Sequence, residues 1–256
     1  MINTINILGF SIYSFIEEMG KMLIFLIQTI KWTFTPPFKI KNLIKQIEVI
    51  GVNSIFVVTL TGIFSGMVLA LESYYAFHMF RAESLVGVTV ALSLTRELGP
   101  VLASLMVTAR AGSAMAAELG TMRVTEQIDA MEVMAVNPIQ YLIVPRVIAG
   151  IIIMPLLTIF VDFIGVIGGY FIGVHVLNIN EGLFLAKIYQ YVQSEDLYNG
   201  LIKALFFGFI LSFVGCYTGY NTSGGAEGVG KATTRSVVIS SVLILMADYI
   251  LTAYLF

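Results

Sequence analysis

Five stretches of this chain run for 20 residues or more with at most two charges apiece. Val52–Leu71 has none, Leu85–Ala109 is interrupted by Arg96 and Glu97, Val147–Leu177 by Asp162, Leu201–Tyr220 by Lys203, and Ser236–Phe256 by Asp248. A helix rising about 1.5 Å per residue needs about 20 apolar residues to cross about 30 Å of hydrocarbon. Each stretch meets that length, and Val147–Leu177 exceeds it so far that it must tilt or protrude. No water in the bilayer core satisfies loose backbone groups, and the alternation that marks a β-barrel is missing. The sequence therefore predicts an all-α, polytopic membrane protein with about five transmembrane helices. Composition agrees: 58% of the 256 residues are hydrophobic and 12% charged, where soluble domains run near half and a quarter. A net charge of −2 offers no basic footprint for nucleic acid, and the lone cysteine, Cys216, excludes an internal disulfide and reads as a buried thiol.

The N-terminus has a different character. Ile5–Ile30 is apolar at both ends but carries Glu17, Glu18 and Lys21 in its middle, which predicts a helix lying in or near the interface. No basic start precedes it and no small-residue cleavage site follows, so a signal peptide is not expected. Trp32 and Pro36-Pro37 close this helix, and Phe38–Ile50 reads as a short amphipathic one, with Lys39, Lys41 and Lys45 available to anionic headgroups. Residues 1–50 thus form an interfacial region and residues 51–256 the transmembrane domain. Basic residues set the orientation. With the N-terminus cytoplasmic, the inner side holds ten (Lys21, Lys31, Lys39, Lys41, Lys45, Arg110, Arg123, Arg146, Lys231 and Arg235) and the outer side two, Arg81 and Lys187. The loops at 110–146 and 221–235 are then cytoplasmic and the C-terminus faces outward. No soluble stretch is long enough to stand alone, and no internal repeat suggests an inverted-repeat carrier.

Four patterns bear on function. Within a cytoplasmic segment at about 122–137, Thr125–Val136 reads as a short helix. Thr125 caps it, Glu126 and Asp129 suit its positive start, and Pro138 stops it after Asn137. Ile128, Met131 and Ala135 share one face, and exposed methionines make an adaptable contact surface. A helix that only packs on the ends of the spans would read the same way. Gly225–Ala232 has the spacing of a phosphate-binding loop, but Ala232 stands where Mg²⁺ needs a hydroxyl and a membrane helix precedes it instead of a strand. ATP, if used, must therefore bind a partner. Gly62/Gly66, Gly165/Gly169/Gly173 and Gly215/Gly219 allow close helix packing, within the chain or between copies. Finally Arg96, Glu97, Asp162, Lys203 and Asp248 each cost about 2.5–3.5 kcal/mol near a bilayer centre. Structural ion pairs would offset that cost, and so would a polar cavity, which the kink favoured by Leu98-Gly99-Pro100 beside Glu97 makes attractive. His78 and His175 lie near the outer ends of spans without metal-ligand spacing, and no catalytic set is visible, so neither an enzyme nor a cofactor is expected.

The segments Gly62–Leu69, Ala91–Val101, Ala109–Ala114, Ala117–Gly120, Thr125–Gln127, Met131–Pro138, Ala232–Arg235 and Leu251–Ala253 together resemble the MlaE (YrbE) family, permease subunits of ABC-type lipid transporters. The likeness runs from about residue 50 to the end; the first 50 residues match only in character. It implies a five-span permease with an interfacial N-terminal helix, paired as a homodimer in the bacterial inner membrane, a plastid envelope being the lesser alternative. It also implies a cytoplasmic ABC ATPase docked on a coupling helix, a periplasmic ring of MCE-domain subunits, and phospholipid as cargo in a cavity between protomers. Glu126, Ile128, Met131, Glu132, Met134 and Asn137 would face the ATPase. Arg96, Glu97, Lys203 and Asp248 match charged positions of the cavity region, while Asp162 matches no motif of the family. Spacing at i, i+3 and i+4 independently suggests Phe64, Met67, Leu71, Tyr74 and Tyr75 as an apolar lining. The competing reading is an ion- or proton-coupled carrier with Glu97 and Asp162 as its relay.

Overall fold

The computed structural model describes the backbone of residues 2–37 and 40–255 and the side chains of Tyr13, 16–37 and 40–255. Phe38, Lys39 and Phe256 lie outside the described residues. All regular structure among the described residues is helical. Five helical runs are long and apolar enough to cross a membrane: Ile40–His78, Glu83–Val124, Ile139–Val176, Ser194–Tyr220 and Gly225–Leu255. The expected spans all fall within these runs, apart from Phe256, outside the described residues, and Leu177, one residue past the third. Each run is longer than the stretch read from sequence, because a helix does not stop where the hydrocarbon does.

Helix α1 (Ile2–Thr33) lays Phe25 among the rings of Phe213, Tyr217 and Tyr220, with centroids 5.5–5.7 Å apart. Its other side, with Leu23, Ile24 and Ile27, is exposed. Helix α2 (Ile40–Ile50) passes through a tight turn at Val52–Ser54 into α3 (Ile55–His78). The second run is α4 (Val86–Ser93), α5 (Gly99–Val107) and α6 (Ser113–Val124), joined by π-helical turns at Leu94–Leu98 and Thr108–Gly112. Residues 110–124, expected as the start of a loop, therefore continue the helix. The run Ala114-Met115-Ala116-Ala117-Glu118-Leu119 is made of strong helix formers and gives no reason to stop. The short helix α7 (Gln127–Val133) follows, then a π turn at Ile139–Ile143 leading into α8 (Val144–Tyr170). Beyond the outer end of α8 come α9 (Glu181–Tyr191), α10 (Ser194–Tyr220) and α11 (Gly225–Leu255).

Helix α8 is the centre, packed between α3 and α10. In lipid, helices gain by close packing and not by leaving water, so small residues sit where backbones meet. A Cβ on Gly62 would come 3.0 Å from the Val161 carbonyl oxygen, and one on Gly66 would overlap that of Gly165. From the other side, Gly165 and Gly169 lie against the carbonyls of Gly62 and Gly66. Gly215 and Gly219 meet those of Gly112 and Ala116, and Gly173 faces Phe184. These glycine pairs are thus occupied inside one chain.

Helix α9 was absent from the sequence reading. Asn180 caps it by accepting the Leu183 N–H at 3.1 Å, and the fully buried Phe184 fits under Gly87 and Gly173 as the key of a small outer core. Two inner cations are also turned inward. Arg110 donates to the Val49 carbonyl (2.7 Å) and Ser54 (3.2 Å), tying the end of α2 to the second run. Arg146, 3% exposed, pairs with Glu118 at 2.8 Å and donates to Leu142 O at 2.7 Å. With five crossings, α1, α2, α7 and the turn at 221–224 share one end of the molecule, while the turn at 79–82 and α9 share the other.

Candidate functional site

In the half of the bundle nearer α9, the chemistry begins with Pro100. It has no N–H for the carbonyl of Arg96 four residues earlier, and the backbone widens into the π turn Leu94–Leu98. Gly200 on α10 lies directly on the Thr95 carbonyl, where any side chain would overlap it. That contact brings Lys203, three residues on, to the widened turn. Its ammonium reaches the freed Arg96 carbonyl (3.0 Å), Glu97 Oε2 (2.8 Å), Asp248 Oδ1 (3.1 Å) and Thr252 Oγ1 (2.7 Å). The Thr252 hydroxyl also lies 3.1 Å from Glu97 Oε1. Lys203 is fully buried, while Glu97 is 37% and Asp248 20% exposed. One cation thus joins the second run, α10 and α11, and two carboxylates stay partly open to whatever fills the space beside them.

Arg96 completes the group with a partner that the sequence reading missed. Its Nε and Nη2 both lie 2.7 Å from Asp196 Oδ1. Asp196 Oδ2 accepts the Gln193 N–H at 2.9 Å as half of the capping box that starts α10. Asp196 sits outside every apolar stretch, so a search among charges within spans passes over it. The acidic pair Glu195-Asp196 at a helix start was the available signal.

Asp162 stands apart. It is 5% exposed at mid-length of α8, pressed against the Cα of Gly99, and neither carboxyl oxygen has a hydrogen-bond partner within the described residues. The four other charges that interrupt the apolar stretches are all paired, whereas this one has no partner among the described residues. A buried polar group without a partner is costly, so Asp162→Asn, which keeps the shape and removes the charge, is expected to hold or raise the unfolding midpoint. The buried thiol of Cys216 reports that midpoint through a thiol-reactive dye. A fall of several degrees would show that the carboxylate is bound to something in the folded protein.

The apolar residues picked by spacing do not converge within one chain. Phe64 and Tyr75 are 59% and 68% exposed, Met67 and Leu71 half-buried, and Tyr74 turns inward to stack on His78 at 5.2 Å. They form at most one wall.

At the end shared with α1 and α2, α7 differs in three respects from its expected form. Thr125 does not cap it: the Thr125 hydroxyl donates to Thr121 O, and Glu126 takes the cap position with φ +58° and no side-chain bond. Pro138 does not end it. Ala135, at φ +58°, lets the Val136 N–H reach back to Met131 O at 2.9 Å and closes the helix. Asn137 then caps the next helix, accepting the Gln140 N–H at 3.1 Å. Third, the face shared by Ile128 and Met131 points into the protein. Ile128 is fully buried and Met131 packs on the main core, while Val133 (89% exposed), Met134 (66%) and Val136 (38%) face outward. Asp129 pairs with Arg123, and Glu132 accepts from Tyr220 at 3.2 Å. The result is a short helix pinned from below with an apolar tip held in solvent. The glycine-rich segment from Gly225 forms the first turns of α11 and not a loop between a strand and a helix, so it lacks the frame of a phosphate-binding loop.

Comparison with known proteins agrees with these features. A family model described as Permease MlaE matches residues 43–254. The chain is 47% identical over 256 residues to a probable ABC transporter permease protein of Rickettsia conorii, covering all of this chain and 99% of that one. It is 40% identical over 259 residues to the intermembrane phospholipid transport system permease protein MlaE of Haemophilus influenzae, covering 100% of this chain and 98% of the relative. A chloroplastic protein of Arabidopsis thaliana, TRIGALACTOSYLDIACYLGLYCEROL 1, is 38% identical over 216 residues, which is 84% of this chain and 62% of that one.

Proposed function

Because the chain belongs to the MlaE permease family, we propose that it is the membrane subunit of an ATP-driven phospholipid transporter whose nucleotide is hydrolysed by a separate cytoplasmic ABC subunit. The observation that carries this reading is the full-length identity to a phospholipid transport permease. The tip of α7 supports it. Val133 and Met134 lie exposed at the cytoplasmic end, on a helix whose other face is locked to the spans through Ile128. An ATPase that moves on binding nucleotide would push there and move the second and third runs together.

Two copies would close the cargo chamber. Phe64 and Tyr75 face out of one chain beside half-buried Met67 and Leu71, so a second protomer is needed to enclose them. Acyl chains would lie on such a wall, while the carboxylates of Glu97 and Asp248 and the Arg96 guanidinium, all partly exposed near the outer end, would meet headgroups. A periplasmic MCE-domain protein would receive the lipid there, and the bacterial inner membrane is the proposed location. The carrier reading needs a continuous relay from Glu97 to Asp162. Glu97 is held by Lys203 and Thr252, whereas the Asp162 carboxyl has no hydrogen bond among the described residues.

The docking role is tested by placing acids on the tip. Val133→Asp with Met134→Asp is expected to weaken ATPase binding about 30-fold, the effect of losing a buried interface anchor, with no change in the unfolding midpoint. Co-purification of the ATPase at the unmodified level would remove α7 from the coupling path.

A further inference from the structure

We infer that the chain holds one anionic phospholipid of the inner leaflet in a site between α1, α10 and α11, at the opposite end of α11 from Asp248. The site consists of a polar cavity and an apolar groove that share a rim. The cavity, about 370 Å³, is lined by Glu18 and Lys21 of α1, Tyr217 and Thr222 at the end of α10, and Lys231 and Arg235 of α11. The groove is a shallow, open and largely apolar face of α11, about 650 Å³, which shares Lys231 and Arg235 with the cavity, is bordered by Glu227, and runs past Thr234 to Val238 and Ile239. A polar pocket opening onto an apolar trough is the outline of an amphiphile, with its charged end at the cations and a chain along the helix. The 17 residues from Lys231 to Asp248 place the pocket about 25 Å along the helix from the outer charged group, which is the span between leaflets.

The charges select the headgroup. Three cations from two helices line the cavity with a single carboxylate, Glu18, which already bridges the helices by pairing with Arg235 at 3.0 Å and accepting from Tyr217 at 3.2 Å. Lys21 and Lys231 each form an ion pair with an acid one turn back on the same helix, Glu17 and Glu227, both at 2.7 Å. Both pairs are open to water, which screens such contacts heavily. A phosphate diester entering the cavity therefore competes with weak partners and joins α1 to α11 through Lys21, Lys231 and Arg235. The chemistry recognised is a phosphate anion. The adjoining groove assigns it to a lipid in preference to a free phosphate.

The test is native mass spectrometry of the full-length chain released from nanodiscs of equal phosphatidylglycerol and phosphatidylcholine. The chain is expected to retain phosphatidylglycerol preferentially, and Lys21→Gln/Lys231→Gln/Arg235→Gln is expected to reduce that preference by about fivefold per charge removed. Lys187→Gln, an outer-side change, should leave it intact. Equal retention of the two lipids, or a triple variant that still prefers phosphatidylglycerol, would overturn the site. Displacement of the lipid by soluble glycerol phosphate would overturn its assignment to a lipid and identify a free-phosphate site. Should the triple variant unfold, Lys231→Gln alone is read in its place, since Lys231 is 76% exposed and its change breaks only a surface pair.

Discussion

Gly66→Ala is expected to abolish accumulation of the folded protein, although it adds only one methyl group. The new Cβ would overlap the Gly165 carbonyl oxygen, which is backbone of the central helix and cannot swing aside as a side chain would. Relief requires α3 and α8 to separate, and their separation opens the interface where Gly62, Gly165 and Gly169 also meet carbonyls. Overpacking of a well-filled core costs about 1–3 kcal/mol and more when backbone must move, against a total stability of about 5–15 kcal/mol. The matched control is Gly20→Ala on α1, where nothing lies within 4 Å of the added carbon and the helix gains about 0.5–1 kcal/mol. Size-exclusion profiles of the two variants decide the matter. A monodisperse Gly66→Ala protein at wild-type yield would show that α3 and α8 are not packed as described.

Lys203→Met has the second large effect. Methionine follows the lysine side chain as far as Cε but lacks the ammonium, which leaves the Arg96 carbonyl without its donor and sets Glu97 and Asp248 facing each other with no cation between them. Breaking a buried ion pair by removing one partner costs about 3–5 kcal/mol. At about 2–4 °C per kcal/mol for a chain of this size, the unfolding midpoint should fall by about 6–20 °C. Adding Glu97→Gln should recover part of the loss, because the two sites share one network and their effects do not add. Additive losses would mean that the lysine and the glutamate act separately.

The fold was largely readable because crossing a bilayer demands length and apolarity, both local properties of sequence. The five spans and the charges that interrupt them were visible. What was hidden depends on the third dimension. Periodicity showed that Ile128 and Met131 share a face but not that this face is the buried one, so the exposed tip fell to Val133 and Met134. Asp196 and α9 were missed because they lie outside the apolar stretches, although Asn180 and the Glu195-Asp196 start carried capping signals. The kink at Pro100 was expected, whereas the role of Lys203 in occupying the carbonyl that Pro100 frees emerges only when Gly200 places α10 against the turn. No reading of the sequence reveals that Asp162, of the five charges that interrupt the apolar stretches, is the one with no partner among the described residues.

The central proposal is that lipid movement through this permease is driven by hydrolysis in another subunit. The direct measurement is transfer of labelled phospholipid by the complex reconstituted in vesicles, once with an ATPase subunit unable to hydrolyse ATP and once with the proton gradient collapsed. Transfer should stop in the first case and persist in the second. Transfer that persists without hydrolysis and stops when the gradient collapses would contradict the proposal and favour a proton-coupled carrier.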